Sequence, residues 1–171
     1  MPMDALKRLD AESQIRQLAV RYALAVDSRN LDMLVDLFID DVRVGDGRTG
    51  RAALKDWFRD VLRHFETSVH FVGNHVIEFE PDERATGTVY CRAEHEDNGR
   101  WVIQTMAYLD TYECRGGQWY FKKRKPLEWY SGLLNEPPTG PQKYRWPGRP
   151  VRETQLPGIW PTWREFWETR E

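Results

Sequence analysis

Apolar positions follow two different periods along this chain of 171 residues, and the change of period divides it into a helical part and a strand part. Up to about residue 65, apolar side chains recur at intervals of three and four, which is the spacing of one face of an α-helix. From Ser68 onwards they alternate with polar ones, as in strands that bury one face. Helices followed by strands predict an α+β domain in which the helices pack on one face of an antiparallel sheet.

The first part predicts three helices. The first begins at an N-cap, either Asp10 or Ser13, and ends at Asp27. The second covers residues 31–40, and the third follows Gly50. The apolar stripe of the first helix consists of Ile15, Leu18, Ala19, Tyr22, Ala23 and Val26.

The end of the first helix, VRYALAVD, breaks a local rule. The carboxylate of Asp27 faces the negative end of the helix macrodipole, which costs roughly a few tenths of a kcal/mol. No basic residue stands at positions 26 or 27 to offset it. Such exceptions often mark functional sites, so Asp27 is a candidate site residue. The alternative is structural, because Asp and Asn are common turn residues and Asp27–Asn30 can form a turn.

Alternation in the second part predicts a meander of four antiparallel strands. Asn98-Gly99 and Gly116-Gly117 are typical of tight hairpin turns. The fourth strand could continue to Tyr130, but Pro126 is expected to interrupt it. The predicted strands cover residues 68–79, 85–96, 101–113 and 118–124.

The composition changes after Tyr130. Residues 131–161 carry most of the prolines and show little periodicity, so we expect residues 1–130 to form the domain and 131–171 a C-terminal extension. A short helix is predicted near Pro161, with three tryptophans along one side: Trp160, Trp163 and Trp167. So much aromatic surface should pack on the domain, over a pocket mouth or onto a partner subunit.

Charge and composition exclude several classes of function. The net charge of −2 gives no strong field for nucleic acid or acidic lipid, and no apolar run approaches the roughly 18 residues of a membrane span. The N-terminus lacks the apolar segment of a signal peptide. Two cysteines, Cys91 and Cys114, make no disulfide framework, which favours a reducing, cytoplasmic setting. The 8 Trp, 7 Tyr and 7 Phe suit apolar ligand pockets or subunit interfaces, or simply an aromatic core.

Two histidines are candidates for chemistry. His70 and His75 lie five positions apart on one strand, so we expect them on opposite faces, with His70 toward a pocket and His75 in packing. His95 lies on a strand face of small residues. If Asp27, His70 and His95 converge, a carboxylate-oriented imidazole is a natural general base near neutral pH. Tyr22 could then donate a hydrogen bond to a substrate oxygen.

Other interpretations of the same residues stay open. Lone histidines on strands are commonly structural, and two histidines with one carboxylate could form a facial triad for iron. No HxD or HxE pair follows His70, however. The chain has no glycine-rich phosphate loop, no GxSxG elbow and no CxxC motif, so nucleotide, serine-hydrolase and zinc-ribbon interpretations have no support.

A series of stretches, taken in order, carries a family resemblance. They are RYALAVDSRNLDMLVDLFIDDV, HFVGNHVIEF, ATGTVYCRAEH and WVIQTMAYLDTYECRGGQWYFKKRK. Together they resemble the SnoaL-like group of the nuclear-transport-factor-2-like superfamily over about residues 10–130. The resemblance implies a cone in which three helices pack in a curved antiparallel sheet around a deep pocket. It also implies a homodimer or homotrimer.

The resemblance also implies site residues. Within the group the pattern is most similar to scytalone dehydratase, bile acid 7α-dehydratase and hexachlorocyclohexane dehydrochlorinase, which are cofactor-free lyases with an Asp–His pair. By this resemblance Asp27 and His70 form the proton-abstracting pair. Tyr22, His95 and Arg124 correspond to pocket residues that polarise or protonate the leaving group. The resemblance implies no cofactor and no metal.

The expected function is therefore a cofactor-independent lyase acting on a bulky aromatic or polycyclic small molecule. The expected leaving group is water, halide or a small carbonyl such as formaldehyde. An isomerase or cyclase on the same pair, or a non-catalytic ligand-binding or subunit-forming module, are the alternatives. A filled core beside His70 would favour the non-catalytic module. The sequence leaves open the substrate, the oligomer number and which of Tyr22, His95 and Arg124 is the acid.

Overall fold

Three helices precede the sheet, in the order that the sequence predicts. The computed structural model describes residues 4–81, 83–136 and 139–168. The helices are α1 Ala5–Asp27, α2 Leu31–Asp36 and α3 Arg51–Leu62. Among the described residues, no helix combines the length and the apolar content that a membrane crossing needs.

Two helix boundaries differ from the prediction. The N-cap of α1 is Asp4 rather than Asp10 or Ser13. Leu6 and Leu9 in the first turns are exposed, so these turns do not continue the apolar stripe by which the sequence predicts the helix. The prediction of a second helix up to residue 40 was also wrong, because α2 ends at Asp36. The chain then leaves the helix and pairs with the last strand: Phe121 donates its N–H to the Leu37 carbonyl, and Ile39 donates to the Phe121 carbonyl.

Four antiparallel strands form one sheet in the order β1-β2-β3-β4. Asn98-Gly99 and Gly116-Gly117 form the predicted tight turns, with positive φ at all four residues. β4 runs through Pro126, so the predicted interruption there was wrong. Because β4 is the edge strand of this order, a residue without an N–H is tolerated in it. The strands are β1 Thr67–Glu80, β2 Arg84–Asp97, β3 Arg100–Arg115 and β4 Gln118–Leu133.

A β-bulge in β1 changes which side chains face the helices. Val72 pairs with Cys91, whereas His75 pairs with Val89, so β1 carries one extra residue between them. The extra residue reverses the alternation, and His75 therefore faces the same side as His70. The prediction that these two histidines lie on opposite faces was wrong for this reason.

The helices pack on the concave face of the sheet. The largest apolar cluster joins α1, α2 and α3 to the strands through residues such as Ile15, Leu34, Phe58, Tyr112 and Phe121. A second cluster places Ala19 of α1 against Val89, Cys91, Ala93, Met106 and Tyr108 of the sheet. The end of α1 is thereby held over the half of β1 that carries His70.

The C-terminal segment packs on its own domain at two places. Tyr144 and Trp146 join Val102 at one end of the concave face. Further on, Leu156 and its neighbours cover the opposite, outer face around Ala107 and Leu127, and the helix α4 Pro161–Glu168 follows. β4 continues past the predicted domain end at residue 130, as far as Leu133. The division into a domain and a C-terminal extension stays a prediction. Trp163 and Trp167 contact each other at 5.5 Å between ring centroids and remain about 40% exposed, at 42% and 39%.

Candidate active site

Asp27 and His70 are joined at two points. The Nδ1 atom of His70 lies 2.7 Å from Oδ1 of Asp27, and the backbone N–H of His70 donates to Oδ2 at 2.9 Å. The Oγ of Ser68 donates to the same Oδ1 at 3.2 Å. The carboxylate at the end of α1 is therefore oriented against β1 by the backbone as well as by the imidazole. The contact that the sequence predicts is present, and its catalytic role stays a prediction.

The surroundings keep the Asp27 carboxylate ionised. Partial burial raises the pKa of this carboxyl, but the hydrogen bonds from His70 and Ser68 outweigh burial and hold the pKa below its ordinary value. Ionised Asp27 requires a proton on Nδ1 of His70 for the 2.7 Å contact, which leaves Nε2 as the basic nitrogen of a neutral ring. Among the described residues, no side chain or backbone group hydrogen-bonds to that Nε2.

His95 lies beside the pair in an aromatic enclosure. Its ring meets the His70 ring edge-on, with 5.7 Å between the ring centroids. It lies between the rings of Phe65 and Trp146, whose centroids are 4.7 Å and 5.3 Å away. Within the described chain neither ring nitrogen has a hydrogen bond of ordinary geometry, although the side chain of Gln104 lies near enough to interact with the ring and raise its pKa. Burial, and secondarily the nearby His70, lower the pKa of His95 to about 4. The ring is therefore neutral at pH 7.

Tyr22 and Arg124 form a second group. The Arg124 guanidinium lies 4.4 Å from the centre of the Tyr22 ring, 4.1 Å from that of Tyr108 and 4.3 Å from that of Phe121. Asp110 accepts hydrogen bonds from the Nε of Arg124 at 2.9 Å and from the Nη2 of Arg124 at 2.7 Å. In the part of the chain that the structure describes, its Nη1 is buried without a hydrogen bond. Burial raises the pKa of Tyr22 to about 12, so this phenol stays protonated.

The five predicted residues thus lie in two groups, Asp27, His70 and His95 on one side and Tyr22 with Arg124 on the other. Helix α1 continues through Asp27, so Tyr22 and Asp27 project roughly 140° apart around it. They approach the space between helix and sheet from different directions. The contacts above do not join the two groups directly.

Comparison with known proteins settles the family. The model of the SnoaL-like domain family matches residues 7–125. This chain belongs to the SnoaL-like family. No curated protein sequence matches this SnoaL-like protein.

Solved structures share its fold. A putative scytalone dehydratase from Novosphingobium aromaticivorans is 22% identical, with a TM-score of 0.67 over 86% of this chain and 99% of that one. A hexachlorocyclohexane dehydrochlorinase, LinA-type3 from Novosphingobium barchaimii, is 22% identical, with a TM-score of 0.71 over 81% and 99%. A protein of unknown function from Mycobacterium tuberculosis is 21% identical, with a TM-score of 0.63 over 83% and 85%. These likenesses confirm the predicted cone of three helices and a curved antiparallel sheet.

Three residues near the two groups of this SnoaL-like protein were not predicted from the sequence to belong to the site. Ser68, two positions before His70, hydrogen-bonds Asp27. Arg29, two positions past the end of α1, donates to Ser68 Oγ at 2.7 Å. His75, turned inward by the bulge, lies 3.1 Å from the hydroxyl of Tyr112, which in turn donates to Asp110 at 2.9 Å. A glycine at position 73 within a strand was the one sequence signal of the bulge.

Two cavities lie away from the Asp27–His70 pair. One of about 380 Å³ lies near the end of β4 and is lined by Arg92, Tyr130 and Lys143 among others. Another of about 380 Å³ lies along Thr86, Leu109 and Lys125. Neither is lined by Asp27, His70 or His95. Within the ranges that the structure describes, no three His, Cys, Asp or Glu side chains are grouped as ligands for a metal ion. That the site works without a cofactor stays a prediction.

Proposed function

We propose that this SnoaL-like protein is a cofactor-independent lyase in which His70 is the general base and Asp27 orients it. The observation that carries the proposal is the two-point contact of Asp27 with the ring and the backbone of His70. A carboxylate on Nδ1 fixes the tautomer of the imidazole and stabilises the imidazolium that forms when Nε2 takes a proton.

The proposed reaction is an elimination. Nε2 of His70 removes a proton from a carbon next to an electron-withdrawing group. The electron pair of that C–H bond is first held as a carbanion next to the electron-withdrawing group. It then forms the new double bond as the bond to the leaving group breaks. A departing hydroxide takes a proton from a donor and leaves as water, whereas a halide leaves as the anion. In the aldol-type variant, His70 removes the proton of a hydroxyl group, and the freed electron pair forms the C=O bond of the released carbonyl compound as the C–C bond breaks. The electron pair of that C–C bond stays on the other fragment, which takes the proton back from the His70 imidazolium.

Three groups are suited to the leaving group. His95 is neutral at pH 7 and carries ring nitrogens with no partner among the described residues. Tyr22 is a protonated phenol, and Arg124 offers the unpartnered Nη1. Buried donors that lack a partner favour a ligand oxygen or anion that supplies one, because an unmade buried hydrogen bond is costly. Arg124 is therefore the candidate for polarisation, and His95 and Tyr22 are the candidates for proton donation.

We propose a bulky aromatic or polycyclic substrate. The support is the aromatic lining of both groups, with Phe65 and Trp146 around His95 and with Tyr108 and Phe121 around Arg124. Two of the similar structures are a putative scytalone dehydratase and a hexachlorocyclohexane dehydrochlorinase, which fits elimination of water or halide from a ring.

One probe separates the variants of the reaction. The β-hydroxy ketone formed from benzaldehyde and acetone loses water to give a conjugated enone, or loses benzaldehyde by C–C cleavage. Hexachlorocyclohexane tests release of chloride.

His70→Ala and Asp27→Asn should each lower turnover by roughly 10²-fold or more, the usual contribution of a general base. His64→Gln, which changes an exposed histidine outside both groups, is the control. Turnover within a few-fold of wild type in both site variants would end the proposal.

The second candidate is a non-catalytic ligand-binding or subunit-forming module. The observation that favours it is the dense packing of the site: the side chain of His70 is 7% exposed and His95 is 5% exposed. In that case both probes and a thermal-shift screen of aromatic and steroid-like compounds should show binding without turnover, since a ligand of the folded state raises its melting temperature. An isomerase or cyclase would instead yield a product with the atoms of the substrate. The expected homodimer or homotrimer is measured by light scattering.

A further inference from the structure

Asp27 is held by a second set of contacts besides those with His70. The Oγ of Ser68 donates to Oδ1 of Asp27 at 3.2 Å and accepts from Nη1 of Arg29 at 2.7 Å. One hydroxyl group therefore links a guanidinium to the carboxylate. Ser68 is 4% exposed, so this link is shielded from water.

Arg29 is itself fixed by the end of α1. Its Nη1 also donates to the Val26 carbonyl at 2.7 Å, and its Nη2 donates to the Phe65 carbonyl at 3.2 Å. Its backbone adopts φ 56°, a left-handed conformation that is uncommon for residues other than glycine. This turn brings the side chain back over the helix terminus. The positive charge of Arg29 thus faces the negative end of the macrodipole, next to the carboxylate that the dipole disfavours.

We propose that Arg29 and Ser68 form a positioning clamp that keeps the Asp27 carboxylate ionised and aimed at His70. Relative to the proposed lyase, both are positioning residues that act through Asp27. The titratable and charged groups around Asp27 are His70 on β1, His95 and Cys91 on β2, and Arg29. Of these, Arg29 reaches Asp27 through the Ser68 hydroxyl.

The direct test is the ¹³C titration of the Asp27 carboxyl group by NMR in the intact protein. Ser68→Ala should move the titration midpoint of Asp27 upward by about half a pH unit, because it removes a hydrogen bond to the ionised carboxylate. Arg29→Gln removes the donor that fixes the Ser68 hydroxyl and should move the midpoint in the same direction. Arg51→Gln is the matched control, since Arg51 also binds a carbonyl near a helix end, that of Phe38 at 2.8 Å through Nε. It should leave the Asp27 midpoint unchanged.

A second readout is the pH dependence of kcat/KM with the β-hydroxy ketone probe. Its acid limb reports the Asp27–His70 pair as a unit and should move to higher pH in both clamp variants. Arg29→Lys, which keeps the charge, should restore part of the shift. If Arg29→Gln does not fold, Ser68→Ala decides, because it removes a single oxygen atom.

The outcomes separate the clamp from the proposed function. An Asp27 midpoint that stays in place in folded Ser68→Ala and Arg29→Gln would overturn the clamp, even if His70→Ala abolishes turnover. An upward midpoint shift together with undiminished turnover in His70→Ala would support the clamp and overturn the lyase.

Discussion

Replacing His95 by phenylalanine should stabilise the protein, and by an amount that grows as the pH falls. His95 is 5% exposed, lies between Phe65 and Trp146, and makes no hydrogen bond to the described residues. A phenylalanine ring at this position keeps the tilted aromatic contacts and removes two polar atoms that lack a partner among the described residues. An unmade buried hydrogen bond costs about 1–3 kcal/mol, so we expect His95→Phe to gain about 1 kcal/mol at neutral pH.

The pH dependence follows from the burial of the ring. The pKa of His95 is lowered from 6.5 to about 4 in the folded protein. As the pH falls through this window, the unfolded chain takes up a proton that the folded chain does not, so folding stability is lost. Between about pH 7.5 and pH 5 this loss amounts to roughly 2 kcal/mol in wild type and is absent in the variant. The gap between the two proteins should widen by that amount.

Urea unfolding followed by circular dichroism measures this gap. Both proteins carry His75, whose pKa burial also lowers to about 4, so its contribution cancels in the difference. His95→Gln serves as the control, because it removes the titration but keeps a polar group at the site. A stability difference that is constant between the two pH values would refute the reasoning. A His95 that also serves as proton donor would make the stabilised variant slower on the β-hydroxy ketone probe.

Two further predictions concern packing around the site. Gly87→Ala would place a Cβ 2.9 Å from the Tyr112 ring and should destabilise the protein by about 1–3 kcal/mol in urea unfolding, whereas Gly45→Ala, with nothing within 4 Å, should change little. Trp146→Phe removes the buried Nε1–H bond to Asp97 at 2.5 Å and should cost about 1–3 kcal/mol, measured by the same unfolding. Equal stability of the two glycine variants in urea unfolding, or no loss of stability in Trp146→Phe, would contradict these predictions.

The sequence predicts the fold well where burial follows a regular period. The order of helices and strands, the two glycine-containing turns and the end of α1 at Asp27 are confirmed. The start of α1 could not be predicted, because Leu6 and Leu9 are exposed there and the apolar stripe of the helix begins only later. A period describes which residues are buried and carries no information on a helical turn that buries none.

The site is predicted only in part, for a different physical reason. The contact of Asp27 with His70 follows from the family resemblance and is present at 2.7 Å. The inward position of His75 depends on one inserted residue in β1, which reverses every side chain beyond it. Ser68 and Arg29 act through hydrogen bonds between segments some forty residues apart or across a turn, and no local pattern encodes such directions.

Deuterium exchange is the most direct measurement of whether the Asp27–His70 pair removes a proton. In D₂O, wild-type protein should exchange the hydrogens next to the carbonyl of the β-hydroxy ketone probe, as followed by NMR. His70→Ala and Asp27→Asn should lower the rate of this exchange by roughly 10²-fold or more, with His64→Gln near wild type. Exchange in folded His70→Ala at a rate within a few-fold of wild type would contradict the assignment of His70 as the base.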